Sequence, residues 1–181
     1  MTGEAALAVA DRRVDDPSAR LGELFDTHHQ RLYRLARRLT ADGDAARDVV
    51  QETFLRAARA PQRVPSGRQG EEAWLVRVLV NVCRDRWRQQ SVRGRGLDAE
   101  LLQPAAPSDP ESAAAAKFVV WRALGVLPPR RRAVIVMHEL EGIDVPAVAR
   151  LLGVSLVTVR WHLSRGRLQL AAAVRDLERR R

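Results

Sequence analysis

The sequence is poorest in the residues that would make it a secreted, metal-binding or membrane protein. Cys83 is its one cysteine, so no intramolecular disulfide and no cysteine-based zinc site can form, which fits a reducing compartment. Its four histidines do not gather: His28 and His29 are neighbours, while His138 and His162 stand alone. No metal or other cofactor is expected. No apolar run approaches the roughly 18 residues needed to cross a bilayer, so no membrane insertion is expected. Met1 to Val14 lacks the basic stretch and apolar core of a secretion signal, so the cytoplasm is the expected location. Aromatic residues make up only 4% of the chain, which argues against the stacking platforms that RNA binders use. There is no glycine-rich phosphate loop and no nucleophile beside a base. The adjacent carboxylates Glu71 and Glu72 read as the solvated start of a helix. No catalytic residue emerges, and an enzyme is not expected.

What the chain has is positive charge. Its 181 residues carry a formal net charge of +9, with 46% hydrophobic and 29% charged residues. That composition folds, and its charge surplus favours a polyanionic partner such as nucleic acid. Lys117 is the only lysine; the other basic side chains are arginine, whose planar fork suits phosphate and guanine.

Glycine and proline divide the chain. Residues 1–18 are small, charged and aperiodic, and are expected to be disordered. From Leu21, the positions Leu21, Leu24, Phe25, Leu32, Leu35 and Leu39 recur at helical spacing and predict a helix ending near Thr40. Asp44 reads as the N-cap of a second helix with Val49, Val50, Thr53, Phe54 and Ala57 inward, ended by Pro61. Pro61 to Gly70 reads as a loop. A third helix follows, with Trp74, Leu75, Val78, Leu79 and Val82 inward and Arg77, Arg84 and Arg88 outward. Between Ser91 and Ser112 the periodicity fails and Gly94, Gly96, Pro104, Pro107 and Pro110 accumulate, marking a linker. Helical signal resumes at Glu111, and Pro128-Pro129 opens a helix that ends at Gly142. The fold class is all-α, in two small helical domains, 19–90 and 112–181, joined by a flexible linker over 91–111.

The segment Ile143 to Leu163 holds the most information. Asp144 caps a short helix with Val148, Ala149, Leu151 and Leu152 inward. Gly153 supplies the positive φ of a sharp turn, Val154 plugs the core, and Ser155 caps a second helix. Val159 and Leu163, four residues apart, form its buried seam. This is a helix-turn-helix pattern. With the seam inward, Arg160, Trp161, Ser164 and Arg165 face outward, where a helix in the major groove would use them. The same pattern also suits a plain helical hairpin, but Arg160, Arg165, Arg167 and Arg175 on or beyond the second helix favour DNA.

Two segments then point to one family. Leu127-Pro-Pro-Arg-Arg-Arg-Ala-Val-Ile-Val-Met-His-Glu-Leu-Glu-Gly, the helix-turn-helix and Leu163-Ser-Arg-Gly-Arg-Leu resemble region 4 of extracytoplasmic-function sigma factors. Asp44-Ala-Ala-Arg-Asp-Val-Val-Gln-Glu-Thr-Phe-Leu-Arg-Ala and Glu72-Ala-Trp-Leu-Val-Arg-Val-Leu-Val-Asn-Val-Cys-Arg-Asp resemble their region 2. The resemblance implies an alternative sigma factor whose partners are core RNA polymerase, through its β′ clamp and β flap, and promoter DNA. Asp48, Gln51 and Glu52, with Arg56 nearby, would face the clamp. Asn81 would capture a flipped base of the minus-ten element from a loop that interrupts the third helix, with Arg84 and Arg88 on the strand's phosphates. Ser155, Arg160, Trp161, Ser164 and Arg165 would read the minus-thirty-five element. Arg130, Arg131 and Arg132 read either as phosphate contacts or as a solvated charge run. An anti-sigma factor is a further partner the resemblance suggests.

Two residues depart from the family pattern: Pro146 stands where an acidic residue is usual, and Trp161 where small or polar ones are. The linker length agrees with the reading. About 20 residues span roughly 25 Å as a relaxed coil and roughly 65 Å when extended, against roughly 50 Å between the two promoter elements. The rival is a stand-alone helix-turn-helix regulator binding operator DNA. It leaves the first half of the chain unexplained.

Overall fold

The computed structural model describes residues 17–40, 42–92 and 113–179, all of them helix, turn or short loop. The order is α1 (Pro17–Thr40), α2 (Gly43–Arg59), a 3-10 turn (Pro61–Arg63) and α3 (Arg68–Val92). After residues 93–112, over which most of the expected linker lies and which fall outside the described residues, come α4 (Ala113–Gly125) and α5 (Pro129–Ile135). A π turn (Val136–Leu140) continues α5, and α6 (Val145–Leu152) and α7 (Leu156–Arg179) complete the chain.

The first three helices form a bundle around Leu24, Leu32, Leu35, Leu39, Val49, Val50, Phe54, Leu75 and Leu79. Pro17 begins α1, a turn before the periodic residues and inside the stretch expected to be disordered; a proline at the first turn sacrifices no hydrogen bond. The cap of α2 is Asp42 rather than Asp44: its carboxylate accepts from the backbone N–H of Asp44 and Ala45. Asp44 sits inside the first turn, where its charge suits the helix dipole, and pairs with Arg47. Phe25 is 43% exposed. It lies at the bundle's edge, its ring centroid 4.4 Å from that of His29 and 5.0 Å from that of Phe54. Glu71 and Glu72 do not form a free carboxylate pair. His28 stands 3.3 Å from Glu71 and Arg31 pairs with Glu72, which ties α1 to the start of α3.

The second bundle packs directly on the first, and the buried residues of both make one continuous cluster. α3 is therefore covered on two sides, by α1 and α2 and again by α5 and α6. Val76, Val80 and Cys83 are buried along with the expected Leu75, Leu79 and Val82. Burial pushes the Cys83 thiol up to about 12, so at neutral pH it stays protonated and unreactive.

Arg132 joins the halves. It is buried, against the reading of Arg130 to Arg132 as one exposed or phosphate-binding run. Its guanidinium donates to the carbonyls of Leu39, Gly125 and Leu127. Those oxygens lie at or just beyond the C-terminal ends of α1 and α4, where helix carbonyls lack partners and the dipole is negative. The two helix ends thus solvate the cation without a carboxylate. Burial still pulls its pKa down to about 10, which leaves it charged at neutral pH. Beside it, Arg38 of α1 pairs with Glu141, 2.5 Å away.

Candidate nucleic-acid interface

The helix-turn-helix forms as its residues dictate. Asp144 accepts from Ala147 N–H at 2.7 Å, and Pro146 fits the first turn, so α6 starts cleanly without a capping box. Gly153 takes the left-handed conformation, φ 63°, and ends α6. A side chain there would also meet Arg77 of α3, whose Cδ lies 2.9 Å from the position of an added Cβ. The turn is therefore pressed against the first bundle. Ser155 accepts from Thr158 N–H at 3.1 Å to start α7.

Val159 and Leu163 are buried, and Val148, Ala149 and Leu152 pack with them. α7 crosses α5 so closely that Gly166 has no room for a side chain: an added Cβ would stand 2.7 Å from Ile135. With that seam fixed, Arg160, Trp161, Ser164 and Arg165 are all exposed on one side of α7, as expected. Arg131 lies over the Trp161 ring, 5.1 Å from its centroid, and donates to Gln169 at 2.6 Å. Of the arginine run, only Arg132 is buried; Arg130 and Arg131 are partly exposed. Arg131 supports Trp161 on the exposed side of α7, a contact no spacing rule announces because it spans 30 positions of sequence. Burial, then the charges of Arg131 and Arg130, hold the His162 imidazole below its ordinary pKa.

The expected clamp face lies on α2. Asp48 and Gln51 are exposed, and Glu52 and Arg56 partly so. Glu52 pairs with Arg56 at 2.9 Å, which also approaches Asp85 of α3, while Asp48 stands 3.5 Å from Arg86. The four residues are brought together as one charged ridge.

Asn81 is not on a loop. α3 runs unbroken through it, and the side chain is half-buried. The interruption that the resemblance implied is absent, and the second bundle packs along this helix. Arg84 is half-buried against Asp85, 3.5 Å away, and only Arg88 is exposed, so Arg77 and Arg84 do not stand free on the outer face. Between α2 and α3 the chain passes through the 3-10 turn to Gly67; Gln62 and Arg63 are exposed there and Gly67 has φ 89°.

Known proteins align with this architecture. Residues 24–93 match the family described as Sigma-70 region 2, and residues 117–170 the one described as Sigma-70, region 4. The chain is 36% identical over 174 residues to the ECF RNA polymerase sigma factor SigE of Mycolicibacterium smegmatis, covering 93% of this chain and 66% of that one. It is 33% identical over 168 residues to SigM of Mycobacterium tuberculosis, covering 92% of this chain and 80% of that one. Among solved structures, CnrH in complex with the cytosolic domain of CnrY superposes with a TM-score of 0.56 at 27% identity, over 92% of this chain and 94% of that one. The sigma factor RpoE of Bartonella quintana, in complex with the anti-sigma factor NepR, gives 0.56 at 23% identity, over 85% of this chain and 95% of that one, a likeness of fold. An exposed helix-turn-helix face, a charged α2 ridge and likeness to such relatives along nearly the whole chain lead to one conclusion: this chain belongs to the extracytoplasmic-function (ECF) RNA polymerase sigma factors.

Proposed function

We propose that this protein acts in the cytoplasm, without enzymatic activity, as the promoter-reading subunit of RNA polymerase. Its α2 ridge of Asp48, Gln51, Glu52 and Arg56 docks on the β′ clamp, and its second bundle meets the β flap. α7 enters the major groove of the minus-thirty-five element, with Arg160, Trp161, Ser164 and Arg165 on base edges and Ser155 at its leading end. Arg88, and Arg84 once released from Asp85, hold the minus-ten strand. Asn81 on α3, with an amide that offers both donor and acceptor, captures the flipped base of the minus-ten element. One of the similar structures holds an anti-sigma factor and another the cytosolic domain of a second protein, CnrY, which supports a protein inhibitor here.

The observation that carries this reading is the exposed outer side of α7 on a chain whose first bundle presents the charged α2 ridge. A stand-alone regulator needs only the former. The contacts between bundles must also give way. Two elements roughly 50 Å apart cannot be held while Arg132 caps α1 and Arg38 holds Glu141.

The test is reconstitution with core polymerase and run-off transcription from the region upstream of the protein's own operon. Arg160→Ala is expected to weaken initiation about tenfold, the worth of one bidentate base contact. Asp48→Ala should weaken association with core polymerase and leave affinity for naked DNA unchanged. A purified chain that ignores polymerase yet binds a palindrome tightly would overturn the proposal.

A further inference from the structure

The reading side of α7 is unusually apolar for a helix that is to lie against DNA. Val157 is 73% exposed and Trp161 51%, and Leu168 follows on the same line at 64%. Residues 157 and 161 are one helical turn apart and so share a face. Arg160 and Arg165 flank them, both exposed, and the chain's net charge of +9 places this stripe on a cationic protein. The Trp161 ring is held in place. Arg131 lies 5.1 Å from its centroid and the ring of His162 packs edge-on at 4.9 Å. A fixed ring loses little conformational freedom on binding, so it is built to touch something.

We infer that Val157 and Trp161 discriminate thymine by its 5-methyl group at two neighbouring base pairs of the minus-thirty-five element. This rests on the reading that α7 docks in the major groove. There the thymine methyl is the one apolar feature a base pair offers, and apolar side chains are what recognise it. The four residues from 157 to 161 advance about 6 Å along the helix, less than two steps of about 3.4 Å between base pairs, so side chains leaning toward each other reach neighbouring pairs. Flanking arginines supply the charge that keeps the apolar stripe on DNA rather than on an uncharged partner. Leu168, some 10 Å farther along the axis, lies outside the two-pair footprint and takes no part.

The experiment uses holoenzyme reconstituted from the full chain and core polymerase. Duplexes are selected from a pool randomised over the minus-thirty-five region, and deoxyuridine then replaces each selected thymine in turn. The wild type should enrich thymine at one or two adjacent positions and lose about fourfold in binding when their methyl is removed, the worth of one buried methyl group. For Trp161→Ala the deoxyuridine and thymine duplexes should bind alike at one of these positions, and for Val157→Ala at its neighbour. Val157 is mostly exposed, so Val157→Ala should keep the wild-type unfolding midpoint, while Trp161→Ala loses its contact with Arg131 and should lower the midpoint slightly and stay folded. An equal deoxyuridine loss in wild type and variants would overturn the inference, as would variants that read DNA normally but fail to hold a protein inhibitor. If Arg160→Ala also leaves the selected sequence unchanged, the docking of α7 itself falls. If Arg160→Ala alters selection and the methyl does not matter, only the thymine reading falls.

Discussion

The two helices that meet DNA in this reading, α7 and α3, differ in what sets their surfaces. On α7 the outward side is determined locally. Ser155 fixes where the helix starts, Val159 and Leu163 fix which side turns in, and Arg160, Trp161, Ser164 and Arg165 have nowhere to go but out. On α3 it is determined at long range. The bundle of α1 and α2 takes one side, α5 and α6 take another, and Asn81 and Arg84 are left half-buried. A recognition surface built from caps and a seam survives changes elsewhere; one lying under a second bundle depends on whether that bundle stays.

The sharpest way to break this contrast is Arg132→Met. The side chain keeps an unbranched stem as far as the position of Nε and loses its donors, leaving the Leu39, Gly125 and Leu127 carbonyls without their partner. Stability should fall by about 3 kcal/mol, from a penalty of roughly 1–3 kcal/mol per stranded buried group partly offset by removing a buried charge. Urea unfolding reads the loss. Hydrogen exchange should rise most at the C-terminal turn of α1 and along α3, while the α6–α7 turn stays protected. Next in size is Gly166→Val. Even a Cβ there comes within 2.7 Å of Ile135, so α7 must lift from α5 at a cost of about 2 kcal/mol. Here the order of effects reverses: DNA affinity of the second bundle drops, and α1 to α3 keep their protection. A smaller change, about 1 kcal/mol, is expected for Ser155→Ala, which strips Thr158 N–H of its acceptor; Ser155→Asp should restore it, as measured by thermal unfolding.

The same division decides what the sequence revealed. The helix-turn-helix was legible to the residue, because each of its signals acts within a few positions: Asp144, Gly153 and Ser155 stand in the roles their types suggest. The inward positions of α2 were legible for the same reason. Asp42 was missed as a cap because Asp44, two residues on, is equally well suited by type, and only backbone geometry separates them. What periodicity could not show is a helix buried on two sides. The covering of Val76, Val80 and Cys83 comes with the second bundle, more than 40 positions away. Arg132 was hidden by its neighbours. In a run of three arginines nothing marks the one whose fork meets two helix ends. The α2 ridge was legible as a charged face, yet its pairing with Asp85 and Arg86 across to α3 was not.

The smallest effect tests how self-contained the α7 side is. His162 lies next to Trp161, and burial, followed by Arg131 and Arg130, holds its imidazole below the ordinary value. A base with a depressed pKa is uncharged in the fold when the unfolded chain has already taken up its proton. Its contribution to stability is therefore complete above the unfolded pKa of about 6.5. It is lost progressively as the pH falls from there through the folded value. Urea midpoints measured downward from about pH 7.5 should drop faster for the wild type than for His162→Gln, which carries no titrating ring. Carboxylates that titrate over the same range are common to both proteins and cancel in the difference. Loss of protection should begin in α7 and α5, where Arg130 and Arg131 reside, and reach α3 later. If α3 loosens first, protonation at His162 is being felt through the contact between bundles, and the reading side of α7 is not as independent of the first bundle as its caps and seam make it.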